Sequence, residues 1–295
     1  MTLEYLIAKV RISLFGHILN WLWRPRMRRR AVRQAVLADE IPRYLKRYVR
    51  ATENVPNQVI KKDSDKIFSI WLQGENNAPD IVRACFRSVR RHCGQELIVL
   101  DEKTLFEYIT LPDYIMEKRR RGLIKNAHFA DICRVELLYQ YGGIWLDATA
   151  FVTAPIPDDI INQDFFVYMA GDIFGYSFIQ NCFIRARRGS YLLAAWRAMI
   201  LEYWKYENHE MDYFVHQLLF KTLVTNDERA KKYFDKMPHI DQAPTHRLWW
   251  TYRDEPYDKD LFQKIVGGAF FQKVTYRDVT NVIKESIADA MINKM

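Results

Sequence analysis

The stretch YGGIWLDAT, from Tyr141 to Thr149, decides the fold class of this chain. Its two glycines end a helical pattern that begins at Asn126, the predicted N-terminal cap, because glycine commonly follows the last residue of a helix. Three apolar residues then form a short strand, and Asp147 stands at its carboxyl end. A helix that turns directly into a buried strand is a building unit of α/β folds.

The rest of the chain repeats this alternation of strand and helix up to about residue 241, after which the period is unclear. The predicted strands cover residues 66–72, 96–100, 144–146, 165–169 and 180–187. The predicted helices cover residues 79–92, 103–109, 113–121, 126–141, 190–206 and 211–223. This order favours an α/β fold with a mixed, mostly parallel sheet flanked by helices. We expect ligands to bind at the carboxyl ends of its strands.

The positive charge of the chain is concentrated near its N-terminus. Residues 1–50 contain twelve Lys or Arg and three acids, while the other 245 residues carry 32 basic and 33 acidic side chains. A neutral body argues against nucleic acid as a partner, because such proteins present a basic face. Four cysteines without metal-ligand spacing are typical of free thiols in a reducing, cytoplasmic compartment.

The first residues form an amphipathic helical pattern. One stripe of the helix carries Thr2, Lys9, Ser13, His17, Asn20 and Arg24, and the other face carries Leu3, Ile7, Val10, Leu14, Ile18 and Trp21. The longest uncharged run, Ile12 to Trp23, is shorter than the roughly 20 residues that a bilayer-spanning helix needs. We therefore predict a membrane-associating extension over residues 1–60 and a folded domain over 61–295.

The predicted extension would lie in the membrane interface. Six arginines would meet anionic lipid there, namely Arg24, Arg26, Arg28, Arg29, Arg30 and Arg33. This places the protein on the inner face of the cell membrane as a peripheral protein. The alternative is a helix that packs on the domain or in an oligomer interface.

Four polar side chains are predicted to converge beside the YGGIWLDAT stretch. Asp131 and Arg134 are three residues apart and share a helix face, and Asp147 and Thr149 follow the strand. Carboxylates accept from hydroxyls or hold a divalent cation, and arginine bonds to phosphate or sugar oxygens. The set suits a ligand with a diphosphate and sugar hydroxyls. Alone, Asp131 and Arg134 would be an ordinary helical ion pair.

Two segments resemble a known family. Residues 129–149, FADICRVELLYQYGGIWLDAT, are similar to the F-x-D-x-x-R-x-x-x-L-x-x-x-G-G-x-Y/W-x-D-x-D stretch of glycosyltransferases with the DxD sugar-binding region. Their ending looks most like the capsular polysaccharide synthesis branch. Residues 70–94, IWLQGENNAPDIVRACFRSVRRHCG, resemble the same branch. The resemblance covers residues 66–155, with weaker likeness at 180–189 and 271–277.

The resemblance implies a GT-A-like, Rossmann-like fold that binds a nucleotide-sugar donor. Carried over by position, Trp71 and Gln73 would border the base, and Asp131 and Arg134 would contact ribose or sugar hydroxyls. Asp147 takes the first acidic place of the DxD motif.

Thr149 stands at the second acidic place, where the family usually has a metal-binding acid. The resemblance implies Mn²⁺ or Mg²⁺ held mainly by Asp147, and the neutral hydroxyl puts metal dependence in question. A leaving diphosphate still needs positive charge. The candidates are Lys273, Arg277 and His246, each of which also has an ordinary structural interpretation. Lys273 is favoured because it lies where the family carries a basic C-terminal motif.

Asp212 and His216 are candidates for deprotonating the acceptor hydroxyl if the enzyme inverts configuration. They are four residues apart on one predicted helix, where Asp212 would otherwise interact with the helix dipole. Asn181, at the end of a predicted strand, is a further candidate. A retaining enzyme needs no dedicated base.

The expected function is transfer of a sugar from a nucleotide-diphosphate donor to a cell-surface polysaccharide, of capsular or lipopolysaccharide type, or to a lipid-linked acceptor. Two alternatives stay open. One is a degenerate protein that binds nucleotide-sugar or polysaccharide within an assembly complex, for which Thr149 is the best argument. The other is a hydrolase that uses the same site on water.

Overall fold

The computed structural model describes residues 6, 7, 9, 10, 14, 38–171, 175–277 and 282–295. Most of the predicted amphipathic helix therefore lies outside the described residues, including its six arginines. Among the residues that are described, no helix has the length and apolar character to cross a membrane. The four cysteines all lie in the described ranges and are free thiols.

The described residues contain a five-stranded sheet with the order β2-β1-β3-β6-β5 and a two-stranded sheet of β4 and β7. The strands are β1 (Lys66–Ile70), β2 (Glu96–Leu100), β3 (Gly143–Leu146), β4 (Ala150–Val152), β5 (Phe165–Met169), β6 (Ile179–Ala186) and β7 (Phe271–Lys273). β1 is parallel to β2 and β3, while β6 is antiparallel to β3 and β5. Four strands of the larger sheet thus share one direction and β6 opposes them. The α/β class and the mixed sheet are confirmed.

Helices flank the sheet, and six of the described helices overlap the six that the sequence predicts. They are α1 (Asp80–His92), α2 (Leu105–Tyr108), α3 (Asp113–Arg120), α4 (Asn126–Tyr141), α5 (Asp158–Ile161), α6 (Tyr191–Tyr206), α7 (Val215–Asn226), α8 (Glu228–Phe234), α9 (Ala243–Arg247), α10 (Lys259–Val266) and α11 (Ile287–Asn293). The helix predicted over 211–223 begins four residues later than expected. The segment after residue 241, where the sequence shows no clear period, holds three short helices, a π-helical turn and β7.

The packed body begins before residue 61. Ile41, Leu45 and Tyr48 are almost fully buried and belong to the same hydrophobic cluster as β1, β3 and α6. The described end of the predicted 1–60 extension is therefore part of the core. The membrane-associating role of the more N-terminal residues stays a prediction.

The turn from α4 into β3 depends on two glycines. Gly142 and Gly143 have φ angles of 68° and 99°, in the region that other residues rarely adopt. A Cβ on Gly143 would also lie 2.7 Å from the backbone oxygen of Lys66. The predicted cap at the other end of α4 is wrong: Lys125 holds the cap position without a side-chain hydrogen bond, and Asn126 is the first helical residue.

Candidate donor site

The candidate site lies at the carboxyl ends of β1 and β3. These strands are parallel neighbours, so Trp71 after β1 and Asp147 after β3 reach the same edge of the sheet. The Asp147 backbone N–H donates to Cys182 on β6 (2.8 Å), and the Asp147 carbonyl accepts from Ala150 (2.9 Å). The second contact closes a turn between β3 and β4, in which Ala148 is buried and Thr149 is partly exposed.

Lys273 joins the two ends of the DxT motif. Its strand β7 pairs with β4 so that Lys273 lies opposite Ala150. The ammonium Nζ lies 2.8 Å from Asp147 Oδ2 and also donates to the hydroxyl of Thr149. A backbone bond from Val274 N–H to the Thr149 carbonyl (2.9 Å) fixes the register. The lysine predicted from the C-terminal motif and the two motif residues therefore meet in the fold.

Arg134 lies between the two carboxylates of the site. Its Nη2 is 3.0 Å from Asp131 Oδ1 and 3.4 Å from Asp147 Oδ1. Its Nη1 donates to the backbone carbonyl of Asn181 (2.6 Å), and the guanidinium lies 4.9 Å from the Trp145 ring centre. The predicted convergence of the helical pair with the strand-end acid is present in the structure.

Asp131 is held by a buried polar cluster. Its Oδ1 accepts from Asn181 Nδ2 (2.9 Å) in addition to Arg134. Its Oδ2 lies 3.3 Å from His216 Nδ1 and 3.7 Å from His128 Nδ1. Each of these residues has less than a tenth of its surface exposed. The carboxylate is consequently fixed from the side of α4, β6 and α7 together.

The charges of the site stabilise one another. Burial by itself would raise the pKa of Asp131, but Arg134 and the two histidines hold that pKa well below its usual value. Burial likewise opposes ionisation of Asp147, yet Lys273 and Arg134 lower the pKa of its carboxyl. For both cations burial would lower the pKa, and the neighbouring carboxylates raise it instead. All four groups are therefore charged at neutral pH.

A ligand can reach only part of this cluster. The side chains of Asp147 and Lys273 are 22% and 21% exposed, against 12% for Asp131 and 7% for Arg134. The reachable face therefore presents a carboxylate, an ammonium and a hydroxyl side by side. Such a face can accept bonds from hydroxyls and donate to phosphate oxygens.

The DxT motif does not suit a divalent cation in this arrangement. The oxygens of Asp147 and Thr149 provide a single negative charge, and the Lys273 ammonium already bonds to both residues. A divalent ion there would meet the lysine at contact distance, whereas magnesium and calcium sites collect several oxygen ligands. Metal binding by Asp147 stays a prediction, and the proposed chemistry does not depend on it.

The candidates for acceptor deprotonation occupy different environments. Asp212 precedes α7 instead of sharing its face, and its Oδ1 accepts from Phe214 N–H (2.9 Å) and Tyr176 Oη (3.3 Å). His216 is 0% exposed, and its Nε2 accepts from Trp204 Nε1 (2.8 Å). The structure argues against His216 as a general base, because no acceptor hydroxyl can reach it.

The remaining predicted residues surround the cluster. Trp71 packs edge-on against Tyr276, with ring centres 5.2 Å apart, and Gln73 is exposed beside it. His246 is 3% exposed, and its Nδ1 lies 2.9 Å from the Thr245 hydroxyl. Burial lowers the pKa of His246 to about 4, so it is neutral and carries no charge for a diphosphate. Their donor-binding roles stay predictions.

Sequence reasoning missed several residues of this site. His128 is three residues before Asp131, so helical spacing was a usable signal. Trp204, Gln217 and Tyr276 carry no such signal, because their contacts with the site join distant parts of the chain.

Comparison with known proteins gives a consistent family assignment. Residues 22–295 match the sequence profile described as "Capsular polysaccharide synthesis protein". The O-glycosyltransferase PaGT of Phomopsis amygdali is 28% identical over 185 residues, 56% of this chain and 43% of its own. The O-glycosyltransferase braB of Annulohypoxylon truncatum is 26% identical over 175 residues, 53% of this chain and 42% of its own.

These curated relatives are longer proteins, and the chain spans less than half the length of each in the matched region. Among solved structures, the PaToxG glycosyltransferase aligns over 88% of this chain and 95% of its own. That alignment has 11% sequence identity and a TM-score of 0.41, which is too low to argue from.

Proposed function

Because this chain belongs to the capsular polysaccharide synthesis protein family, we propose that it is a glycosyltransferase with a GT-A-like fold. The donor is a nucleotide-diphosphate sugar, bound at the carboxyl ends of β1 and β3. The observation that carries this proposal is the contact of Lys273 with Asp147 and Thr149, which presents cation, carboxylate and hydroxyl at one reachable edge. The names of the matched relatives support transfer to an oxygen acceptor.

The residues of the site have distinct roles in the proposed reaction. Asp131 binds a hydroxyl of the donor through its exposed part, and Arg134 holds Asp131 and Asp147 in place. Trp71 with Gln73 borders the base. As the bond from the sugar to the diphosphate breaks, negative charge grows on the diphosphate oxygens. Lys273 donates to those oxygens, and a fixed cation in a partly dry site is an effective stabiliser of such charge. Asp147 holds the ammonium in place and accepts from a sugar hydroxyl.

Asp212 is the proposed base if configuration inverts. Its half-exposed carboxylate lies in the segment before α7, next to Tyr213, whose ring is 6.0 Å from that of His128. It would take the proton of the acceptor hydroxyl as that oxygen attacks the sugar carbon. An enzyme that retains configuration would not need it.

Donor binding is the most direct test. Thermal unfolding would be followed with UDP-, GDP-, CMP- and TDP-sugars, with and without Mn²⁺. A donor at one hundred times its Kd stabilises the folded state by about 2.7 kcal/mol. A rise in Tm with at least one donor supports the proposal. No shift with any donor would count against it.

The acceptor in this proposal is a cell-surface polysaccharide or a lipid-linked saccharide, and the protein lies peripherally on the cytoplasmic face of the membrane. Leu6, Ile7, Val10 and Leu14 are 42 to 53% exposed, whereas Lys9 donates to the Met211 carbonyl. These exposed positions leave apolar side chains free for lipid.

Sedimentation with anionic liposomes tests the membrane role. Deletion of residues 1–30, or serine at the four exposed apolar positions, should abolish co-sedimentation. Liposome binding that survives both changes would contradict it.

A second candidate function follows from Thr149. A degenerate protein of this family would bind nucleotide-sugar or polysaccharide within an assembly complex without transferring sugar. It is favoured if a donor raises Tm while neither transfer nor donor hydrolysis is detected.

A further inference from the structure

The most buried part of the site is organised around His216, which two indole groups hold in place. Trp196 Nε1 donates to the His216 backbone carbonyl, and Trp204 Nε1 donates to His216 Nε2, both at 2.8 Å. The side chains of His216, Trp196 and Trp204 are fully buried. The ring therefore has one orientation, with Nδ1 directed toward Asp131.

The tautomer of His216 follows from the donor on its Nε2. An indole N–H is a donor only, so Nε2 must carry a lone pair to accept from Trp204. In the neutral ring the proton then sits on Nδ1, which lies 3.3 Å from Asp131 Oδ2. This distance is long and imperfectly aligned for a hydrogen bond, but Nδ1 has no other partner among the described residues.

The same tautomer argues against a metal ion. His128, Asp131 and His216 are buried and each offers a ligand atom within 4.8 Å of the others. A metal bound at His216 Nδ1 would need the lone pair on that nitrogen and the proton on Nε2. Two N–H groups would then face each other at the Trp204 contact.

A second connection reaches Asp131 from the next residue of α7. Gln217 Nε2 donates to Asn181 Oδ1 (3.2 Å), which orients the amide so that Asn181 Nδ2 donates to Asp131 Oδ1 (2.9 Å). Consecutive residues of α7 thus support both oxygens of one carboxylate.

We propose that Trp204 and His216 are positioning residues that aim the Asp131 carboxylate at the donor sugar, while the Gln217–Asn181 contact supports its other oxygen. The aim of Asp131 rests on the proposed function, because a donor sugar is what the carboxylate would bind. His216 acts as a neutral donor through Nδ1, and Trp204 keeps it in that tautomer. Neither residue touches the substrate.

Three variants separate positioning from general packing. Trp204→Phe keeps the ring and removes the donor. His216→Asn places an amide N–H near the position of Nδ1, whereas His216→Gln places it near Nε2. Donor affinity by calorimetry should fall about ten- to hundredfold in Trp204→Phe and His216→Gln. The donor affinity of His216→Asn should stay near the wild-type value. The Tm of every variant is measured as the control for folding.

The tautomer of His216 is measured independently by long-range ¹H–¹⁵N spectra of the wild-type imidazole rings. The expected result is a neutral ring protonated at Nδ1, changed in Trp204→Phe. Protonation at Nε2, or binding of Zn²⁺ or Mn²⁺ that depends on His216, would overturn the proposal. So would equal donor affinities in the Asn and Gln variants. If no donor binds the wild type, the proposed function fails, while the spectra still test the tautomer.

Discussion

Lys273 Nζ lies 2.8 Å from Asp147 Oδ2, although the two residues are 126 positions apart in the sequence. The lysine also donates to Thr149, which stands where a DxD motif would have its second acid. One acid with an ammonium has the same net charge as two acids with a divalent ion. The lysine therefore supplies the candidate site with a fixed cation from the protein itself.

Replacing Lys273 tests this cation directly. Lys273→Met keeps an unbranched side chain and removes the charge, so we expect kcat to fall about 10²- to 10³-fold. Lys273→Arg should retain part of the activity because it keeps a cation. Single-turnover transfer would be measured, with Tm as the control for folding. Wild-type turnover by Lys273→Met would remove Lys273 from the site.

The Asp147 carboxylate should be equally necessary. Asp147→Asn preserves an acceptor for Trp145 Nε1, which is 2.9 Å from Oδ1, but no longer neutralises Arg134 and Lys273. We expect transfer to fall about 10²-fold or more, with a fold retained in circular dichroism. Asp113→Asn, at an exposed acid that begins α3, is the matched control. Unchanged transfer by Asp147→Asn would refute the assignment.

Two substitutions together should make transfer dependent on a divalent metal ion. We expect wild-type transfer to persist in a chelator, because the ammonium of Lys273 already bonds to Asp147 and Thr149. Thr149→Asp combined with Lys273→Ala places two carboxylates at the motif without the ammonium. That variant should require Mn²⁺ or Mg²⁺, as carboxylate pairs favour hard cations. If a chelator abolished wild-type activity, the metal-independent role of Lys273 would be contradicted. Calorimetric titration with Mn²⁺ or Mg²⁺ would compare the metal affinities of the wild type and the double variant.

Asp212 should affect the acceptor half of the reaction only. If the enzyme inverts, Asp212→Asn lowers kcat about 10²- to 10⁴-fold through loss of the base. The Kd of the donor should not change, since Asp212 bonds to Phe214 and Tyr176 and not to Asp131, Asp147 or Lys273. The product anomer, read by NMR, shows whether inversion occurs. If the product shows inversion and the Asp212→Asn variant is still fully active, Asp212 is not the base.

His246 should make folding stability depend on pH. Its pKa is about 4 in the folded chain because of burial, against about 6.5 when unfolded, so the unfolded state binds the extra proton first. Stability is therefore complete near pH 7 and declines as pH falls toward 4. Relative to His246→Asn, the wild type should lose about 2–3 kcal/mol between pH 7 and about pH 4.5. Urea unfolding at both values measures this, and parallel losses in the two proteins would contradict it.

The local sequence pattern predicts the strands and helices that carry Asp131, Arg134 and Asp147. Runs of apolar residues located β1, β2 and β3, while Pro79 located the start of α1 and the Gly142–Gly143 pair located the end of α4. The convergence of Asp131, Arg134 and Asp147 followed from one short connection through Gly142 and Gly143.

The parts that were missed depend on contacts between distant segments. β4 and β7 have three residues each, too short for a period, and pair across more than a hundred positions. The sequence makes His216 a candidate base, because its sequence neighbours give no sign of Trp204, which covers it from α6. The start of α4 at Asn126 shows that a residue type favoured at caps can also occupy the first helical turn.

The pairing of β4 with β7 has a consequence for synthesis on the ribosome. The acids of the site are made early, and the cation that joins Asp147 to Thr149 is made 126 residues after Asp147. In a nascent chain whose residues 271–273 are still in the exit tunnel, Arg134 and Trp145 can contact the Asp147 carboxylate but Lys273 cannot. The contact that joins Asp147 to Thr149 therefore forms only after β7 has been made, so a product that stops before residue 271 lacks this ammonium.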